Sequence, residues 1–438
     1  MPFGAVLEFG RLRRLAAMFL EFGLVQAAVQ GLGFVTGILV VRLLAVDQYA
    51  LYTIANTMMS TLYLLAESGI ASAAVGIGGR AWQDPDWLGR TVRSTVSVAN
   101  RLRNLVAAPV ALALAWLLVK NGASAAATLF LVTLVLIGGS LQLLGQIYIM
   151  VPRLLGDARF QQAVNFLMPA LRLVITLALA PFGLVSSTAL FALVLSFLAP
   201  FGVLRCWVGR RIALGGPSDP AIVAELRPIV TRQLPNGIYY LFQSQLGIWL
   251  LSVFGSAETV ADLGALTRIS AVLGVLIATM QGIVVPRYAR VQNARRLVAL
   301  YLLVLAGCAA LASLIVVAVW IVPEPVLWLL GSQYAHLEHE LLLATEAAAL
   351  SSVSILAWAL SANKGWFLPV WINMPLGLTA QVSLMLAIGV STVRQVLLMT
   401  ICTEAIFLVT NIGSGLIFLR RYGRRMAGEI PTTSLLAP

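Results

Sequence analysis

The sequence predicts an all-α polytopic membrane protein with twelve transmembrane helices in two six-helix lobes around a central cavity. Three observations predict it. Hydrophobic residues make up 60% of the 438, charged residues only 11%, and the mean hydropathy is +0.94. That is more apolar surface than a water-soluble chain can hide in one core. Apolar runs of about 20 residues, each long enough to cross a hydrocarbon layer of about 30 Å, recur along the chain with short polar loops between them. Of the 29 Lys and Arg, 24 fall in loops on one side of that arrangement. By the positive-inside rule that side is cytoplasmic and holds both termini, which requires an even number of spans.

In order, the chain opens with a basic segment bearing Arg11, Arg13 and Arg14, read as an interfacial lead-in to an uncleaved first span. The first span runs from Phe19 to Val41. A turn over Arg42 to Tyr52 leads into a second span, Thr53 to Gly79, which carries Glu67 deep in the bilayer. A bare carboxylate there is costly enough to need a polar cavity or a partner. Further spans follow near Val96–Val119, Ala125–Met150, Ala163–Pro181 and Leu184–Val208, then Leu234–Phe254, Val260–Val285 and Leu297–Val322. Glu340–Ser361, Trp366–Ile388 and Val393–Leu419 complete the twelve. The longest polar stretch between spans, Gly209 to Gln233 with Gly-Gly-Pro-Ser-Asp-Pro, divides the chain into an N-lobe (1–208) and a C-lobe (234–420), with a cytoplasmic tail over 421–438. Span one to two and span seven to eight echo each other: each is a span end, a short acidic turn and a new span. Six spans return the chain to its starting side, so the repeats are parallel.

Several function classes are excluded. The arginines that give a net charge of +12 lie in short loops with no aromatic-interleaved basic domain, so nucleic acid is not a partner. Cys206, Cys308 and Cys402 stand singly in apolar runs without metal-ligand spacing. No nucleophile elbow, P-loop or phosphate cradle is present, and the longest loops, about 25 residues, are short for a membrane glycosyltransferase or polymerase. The expectation is a transporter with no cofactor and no metal. His336 and His339 flank Glu338 and Glu340 and could form a metal pair, but a solvated loop explains them better.

Four stretches carry a family resemblance: Arg42-x-Leu-x4-Gln-Tyr49-x-Leu-Tyr52, Glu67-x-Gly69, Val285-Pro286-x-Tyr-Ala, and Pro325-Val-Leu-Trp-Leu-Leu-Gly331-Ser-Gln-Tyr334. In this order the chain resembles the polysaccharide branch of the multidrug/oligosaccharidyl-lipid/polysaccharide (MOP) flippase superfamily, the Wzx-type lipid-linked oligosaccharide flippases. Ala50 departs from the family's Gly, and Gln245-Leu-Gly247 lacks an Asp often found there. The second departure weakens any carboxylate-based ion coupling in that helix. The resemblance implies a MATE-like bundle that moves an undecaprenyl-diphosphate-linked oligosaccharide to the periplasmic leaflet by alternating access. It also implies a monomer in the bacterial inner membrane, among membrane lipids, with a polysaccharide polymerase and glycosyltransferases as further partners. A MATE-type drug exporter is the alternative. A peptidoglycan-precursor flippase is a third, disfavoured because that resemblance would bring fourteen spans.

The residues divide into two groups. A diphosphate headgroup needs cations and hydrogen bonds inside the membrane. Arg172 and Arg268, both within spans, are candidate phosphate contacts, and Asn236, Tyr239 and Gln243, with Tyr240 and Gln245, are candidate sugar contacts. For Arg172 the alternative is a structural salt bridge to Glu67, Glu346 or Glu404; for Arg268 it is snorkelling outward. Interhelical hydrogen bonding is the alternative for the span-seven cluster. Glu67, Glu404 and Glu346 are candidate ion-coupling carboxylates, or else paired structural acids.

Overall fold

The computed structural model describes residues 25, 27–289, 291–364, 366 and 370–426. The basic N-terminal lead-in and the end of the C-terminal tail lie outside the described residues. The described chain is helical throughout, without strands among these residues. It forms two compact units, residues 1–245 and 246–438.

Unit 1 begins with α1 (Ala27–Leu43). Helix α2 (Val46–Glu67) starts seven residues before the expected span, so Gln48, Tyr49 and Tyr52 lie in its first two turns and not in a connecting turn. It stops at Ser68 and Gly69, which take left-handed conformations with φ of 30° and 80°. A short helix α3 (Ile70–Gly78) then continues at 40° to it. The expected continuous second span is therefore a broken one. Gly69 suits this break because positive φ costs it nothing. It is also where Gln233 packs, close enough that a Cβ on Gly69 would stand 3.1 Å from its Cγ.

Helix α4 (Pro85–Lys120) is 36 residues long, about 54 Å at 1.5 Å per residue, and opens with Pro85 behind an Asp84 cap that accepts from the Asp86 amide. Its apolar window marks only the part in hydrocarbon; the first turns extend beyond it on the basic side. Helix α5 (Ala125–Tyr148) approaches α2 and α8 at Gly138 and Gly139. A Cβ there would meet the Met59 sulfur at 2.5 Å, Val194 at 2.9 Å and Leu62 at 2.9 Å. Small residues at helix contacts let backbones come close where no hydrophobic force joins spans. The one-turn α6 (Met150–Leu154), α7 (Ala158–Leu179) and α8 (Ser186–Gly209) complete the six expected N-terminal spans.

Helix α9 (Pro220–Phe254) starts fourteen residues before the expected seventh span and crosses the boundary between the units. Ile222, Val223, Leu226 and Val230 of its first half are buried with Ala66, Ile70 and Ile77 of α2 and α3, Val98 of α4 and Leu143 of α5. The loop before it is fastened to the same unit. Arg80 forms a two-pronged ion pair with Glu225, Arg90 pairs with Asp219 at 3.5 Å, and Ser94 accepts from the Asp219 amide at 2.8 Å. Arg93 donates to the carbonyls of Ala213 and Pro217. The exposed Arg80 guanidinium is held still more firmly charged by Glu225.

Unit 2 contains α10 (Ala257–Ala289), bent by 42° between Ser270 and Val272, α11 (Ala294–Ile321), the short α12 (Pro323–Leu330), α13 (Glu338–Ala362), α14 (Val370–Ile388) and α15 (Val393–Met426). Its core joins Tyr288 of α10, Tyr301 and Cys308 of α11, Leu356 and Leu360 of α13 and Leu419 of α15. At the basic end Lys364 donates to the carbonyls of Ala289 (2.8 Å) and Val291 (2.6 Å), where α10 ends, and Tyr422 donates to Gln292 O at 3.0 Å. Partial burial lowers the Lys364 ammonium from its ordinary range, and the two carbonyls are what accept its protons.

Among the described residues seven helices are singly long and apolar enough to cross a membrane, two bent pairs qualify together, and α1 and residues 373–388 of α14 are shorter apolar helices. With the more polar α9 the helices roughly match the twelve expected spans.

Candidate functional site

Tyr49 and Tyr52, three residues apart on α2, share one face, are fully buried, and stack with ring centroids 6.0 Å apart. Gln48 beside them accepts from the amide and hydroxyl of Ser186 at 3.2 and 2.8 Å, tying the first turn of α2 to that of α8. Against this corner α7 delivers Arg172, whose Nη2 donates to the Tyr52 hydroxyl at 2.6 Å. Arg172 stands about 21 Å along α7 from its basic-side start, and Tyr52 about 9 Å from the start of α2, so the pair lies toward the outer end of both helices. The Arg172 Nε is buried and has no partner. Among the described residues no salt bridge joins Arg172 to Glu67, the candidate acid of its own unit; the partner is a neutral phenol that the sequence had placed only in a motif. The i, i+3 tyrosine spacing was the available signal.

Glu67 is the last residue of α2, about 31 Å along the helix from Val46, a full hydrocarbon thickness. Its carboxylate accepts from the amides of Gly69 (3.1 Å) and Ala71 (3.2 Å), bridging the break and capping α3. The partner that the sequence demanded for this acid is its own backbone.

On α9, Tyr239 is buried and Gln243 partly buried, while Tyr240 is 58% exposed; the side chain of Asn236 lies outside the description. Because α9 begins early, the exposed Arg227 and Arg232, which the sequence suggested were loop residues, belong to the same helix. Arg172 bonds to α2 and not to this cluster.

In unit 2, Arg268 is partly buried on α10, two residues before the bend, and Glu346 is partly buried on α13. Glu404 on α15 lies near Ser351 of α13, and further along the same helix Asn411 donates to the Ser354 hydroxyl at 3.0 Å. His336 does not face a metal pair. Its Nε2 lies 3.5 Å from Oδ2 of Asp262, a buried carboxylate in the second turn of α10 that sequence reasoning assigned to a turn and passed over. Among the described residues no group of three His, Cys, Asp or Glu side chains is placed to hold a metal.

No protein-family model and no curated protein matches the sequence. Solved structures do. An inward-facing multidrug resistance MATE family transporter of the MOP superfamily superposes with a TM-score of 0.72 at 14% identity, over 92% of this chain and 99% of that one. The chain shares the fold of this transporter. MATE in the bent conformation matches at 0.63 with 17% identity, over 93% of this chain and 96% of that one. The lipid II flippase MurJ, in its inward closed conformation, matches at 0.68 with 11% identity, over 94% of each. The matched proteins are transporters and a flippase, and none of these structural neighbours is an enzyme.

Chemically, the Arg172 corner has groups suited to an anion. One edge of the guanidinium is fixed by a neutral hydroxyl, so its positive charge is not cancelled, and a further N–H is left over. A planar fork held in this way suits a phosphate oxygen better than a mobile ammonium would.

Proposed function

We propose that this chain is a flippase that carries undecaprenyl-diphosphate-linked oligosaccharide from the cytoplasmic to the periplasmic leaflet of a bacterial inner membrane, by alternating access, for surface polysaccharide synthesis. The observation that supports this most is Arg172: a guanidinium inside a span, bonded to Tyr52 and to no carboxylate, with its Nε unpartnered. An unpaired Arg in a span costs about 2.5–3.5 kcal/mol on insertion scales, and a function that needs a cation there explains its presence. Arg227 and Arg232 at the basic end of α9, followed by Tyr239, Tyr240 and Gln243, are the further contacts this reading assigns to phosphate and sugar.

The second reading is a MATE-type exporter, favoured by the 0.72 superposition on such a protein. The peptidoglycan-precursor flippase is a third reading, supported by the MurJ alignment over 94% of that chain. The purified chain in liposomes should translocate a fluorescent undecaprenyl-diphosphate oligosaccharide and leave ethidium gradients unchanged. Ethidium export without lipid translocation would establish the exporter instead, and translocation of lipid II alone would establish the precursor flippase.

A further inference from the structure

The basic ends of α7 and α8 hold a group of side chains that the transport reading leaves idle. Asp157, the acid nearest to them in sequence, caps α7 by accepting from the Phe160 amide at 3.1 Å. Phe160 in the first turn of α7 stacks on Trp207 of α8, with ring centroids 4.5 Å apart and planes 11° from parallel. Arg211, four residues beyond Trp207, sets its guanidinium carbon 3.6 Å from the centre of the same ring and donates to Trp207 O at 3.3 Å. Two groups cannot share one face of an indole at those distances, so Phe160 covers one face and Arg211 the other. The guanidinium is thereby oriented without any acid.

Arg159, beside Phe160, and Arg210, beside Arg211, are exposed like Arg211 itself. None of the three makes an ion pair among the described residues. Apolar side chains on the same helix faces are open: Val203, one turn before Trp207 on α8, is 45% exposed, and Phe166, two turns after Arg159 on α7, is 40% exposed. In helices that cross a membrane such side chains face lipid tails. Three uncancelled guanidiniums, an aromatic shelf at the depth of the headgroups and a tail-facing apolar surface above it match the two halves of one molecule, an anionic phospholipid.

We propose that the basic end of the α7–α8 pair binds an anionic phospholipid of the inner leaflet, its phosphate on Arg159, Arg210 and Arg211 and its acyl chains along the exposed α7–α8 surface. This site does not depend on the flippase reading, because it concerns a resident lipid and not the cargo. The full chain, purified in a neutral detergent, is to be melted with added cardiolipin, phosphatidylglycerol, phosphatidylcholine or inorganic phosphate. The anionic lipids should raise the thermal midpoint by about 3 °C, and phosphatidylcholine and inorganic phosphate should not. The triple substitution Arg159→Gln, Arg210→Gln and Arg211→Gln should abolish the rise, and Arg211→Gln alone, a milder change for folding, should diminish it. Substituting Arg295, Arg296 and Arg420, three exposed arginines on the basic side of unit 2, with Gln should leave the rise intact. An equal loss in that control would reduce the site to general surface charge. An equal rise with inorganic phosphate would make it a free-anion site, and no rise in the unaltered protein would end the proposal.

Discussion

Unit 1 and unit 2 each keep ionisable side chains inside spans, and one in each lies against a hydroxyl. In unit 1 the Arg172 guanidinium is hydrogen-bonded to the Tyr52 phenol; in unit 2 the Glu404 carboxyl lies near the Ser351 hydroxyl. Among the described residues neither makes an ion pair. Ion pairs join Arg80 to Glu225, Arg90 to Asp219 and His336 to Asp262 near helix ends. A salt bridge at Arg172 would cancel its charge and hold it in place. A hydroxyl holds the guanidinium and leaves its charge, which the proposed function assigns to the phosphate.

The largest effect expected from this contrast is at Arg172. Arg172→Ala should remove most lipid-linked oligosaccharide transport at matched protein levels, and Arg172→Lys should retain part of it, since it keeps the charge and loses the fork. Tyr52→Phe should weaken transport less than either, with a stability cost of about 1 kcal/mol. If combining Arg172→Ala with Glu67→Gln, Glu346→Gln or Glu404→Gln restored transport, the arginine would be a counter-charge after all and the contrast between the units would collapse.

An intermediate effect belongs to the break between α2 and α3. Glu67→Ala leaves the Gly69 and Ala71 amides without their acceptor and should destabilise the protein by about 1 kcal/mol, as loss of a helix cap does. Glu67→Gln retains an acceptor oxygen and should cost less. Chemical denaturation in detergent measures both, and a glutamine variant as unstable as the alanine one would mean that the charge matters there and the cap does not.

The smallest effect lies at the exposed end of the scale. Arg80→Gln should leave the thermal midpoint nearly unchanged, because a solvated pair contributes little, and raising the salt concentration should mimic the substitution. A large fall in the midpoint would show that this pair holds more of unit 1 together than its exposure suggests.

The sequence made the fold legible because hydropathy and loop charge each respond to the bilayer independently. Helix ends were less legible. The apolar window identifies the part of α4 and α9 in hydrocarbon, while Pro85 and Pro220 start those helices many residues earlier, in water or headgroups, where propensity and caps decide. Arg172 could be singled out because a charge in an apolar run stands out. Its partner could not, because Tyr52 is 120 residues away and the sequence placed it in a turn, outside the apolar run. Glu67 was visible as an anomaly, but its resolution depends on two left-handed residues whose conformation only Gly69 hinted at. Asp262 was missed for the opposite reason: in a short acidic turn, where the sequence placed it, an aspartate is ordinary.

The fastening of residues 210–219 to unit 1 bears on where this polypeptide could be cut in two. Gly215-Gly-Pro-Ser-Asp-Pro220 reads like a joint, yet Arg80, Arg90 and Arg93 hold the segment and the first turns of α9 to the body that precedes them. No junction at the ends of α9 would respect both units, because that helix itself runs from one into the other. Severed at the glycines, the second fragment would carry an apolar strip, Ile222 to Val230, that belongs to the first.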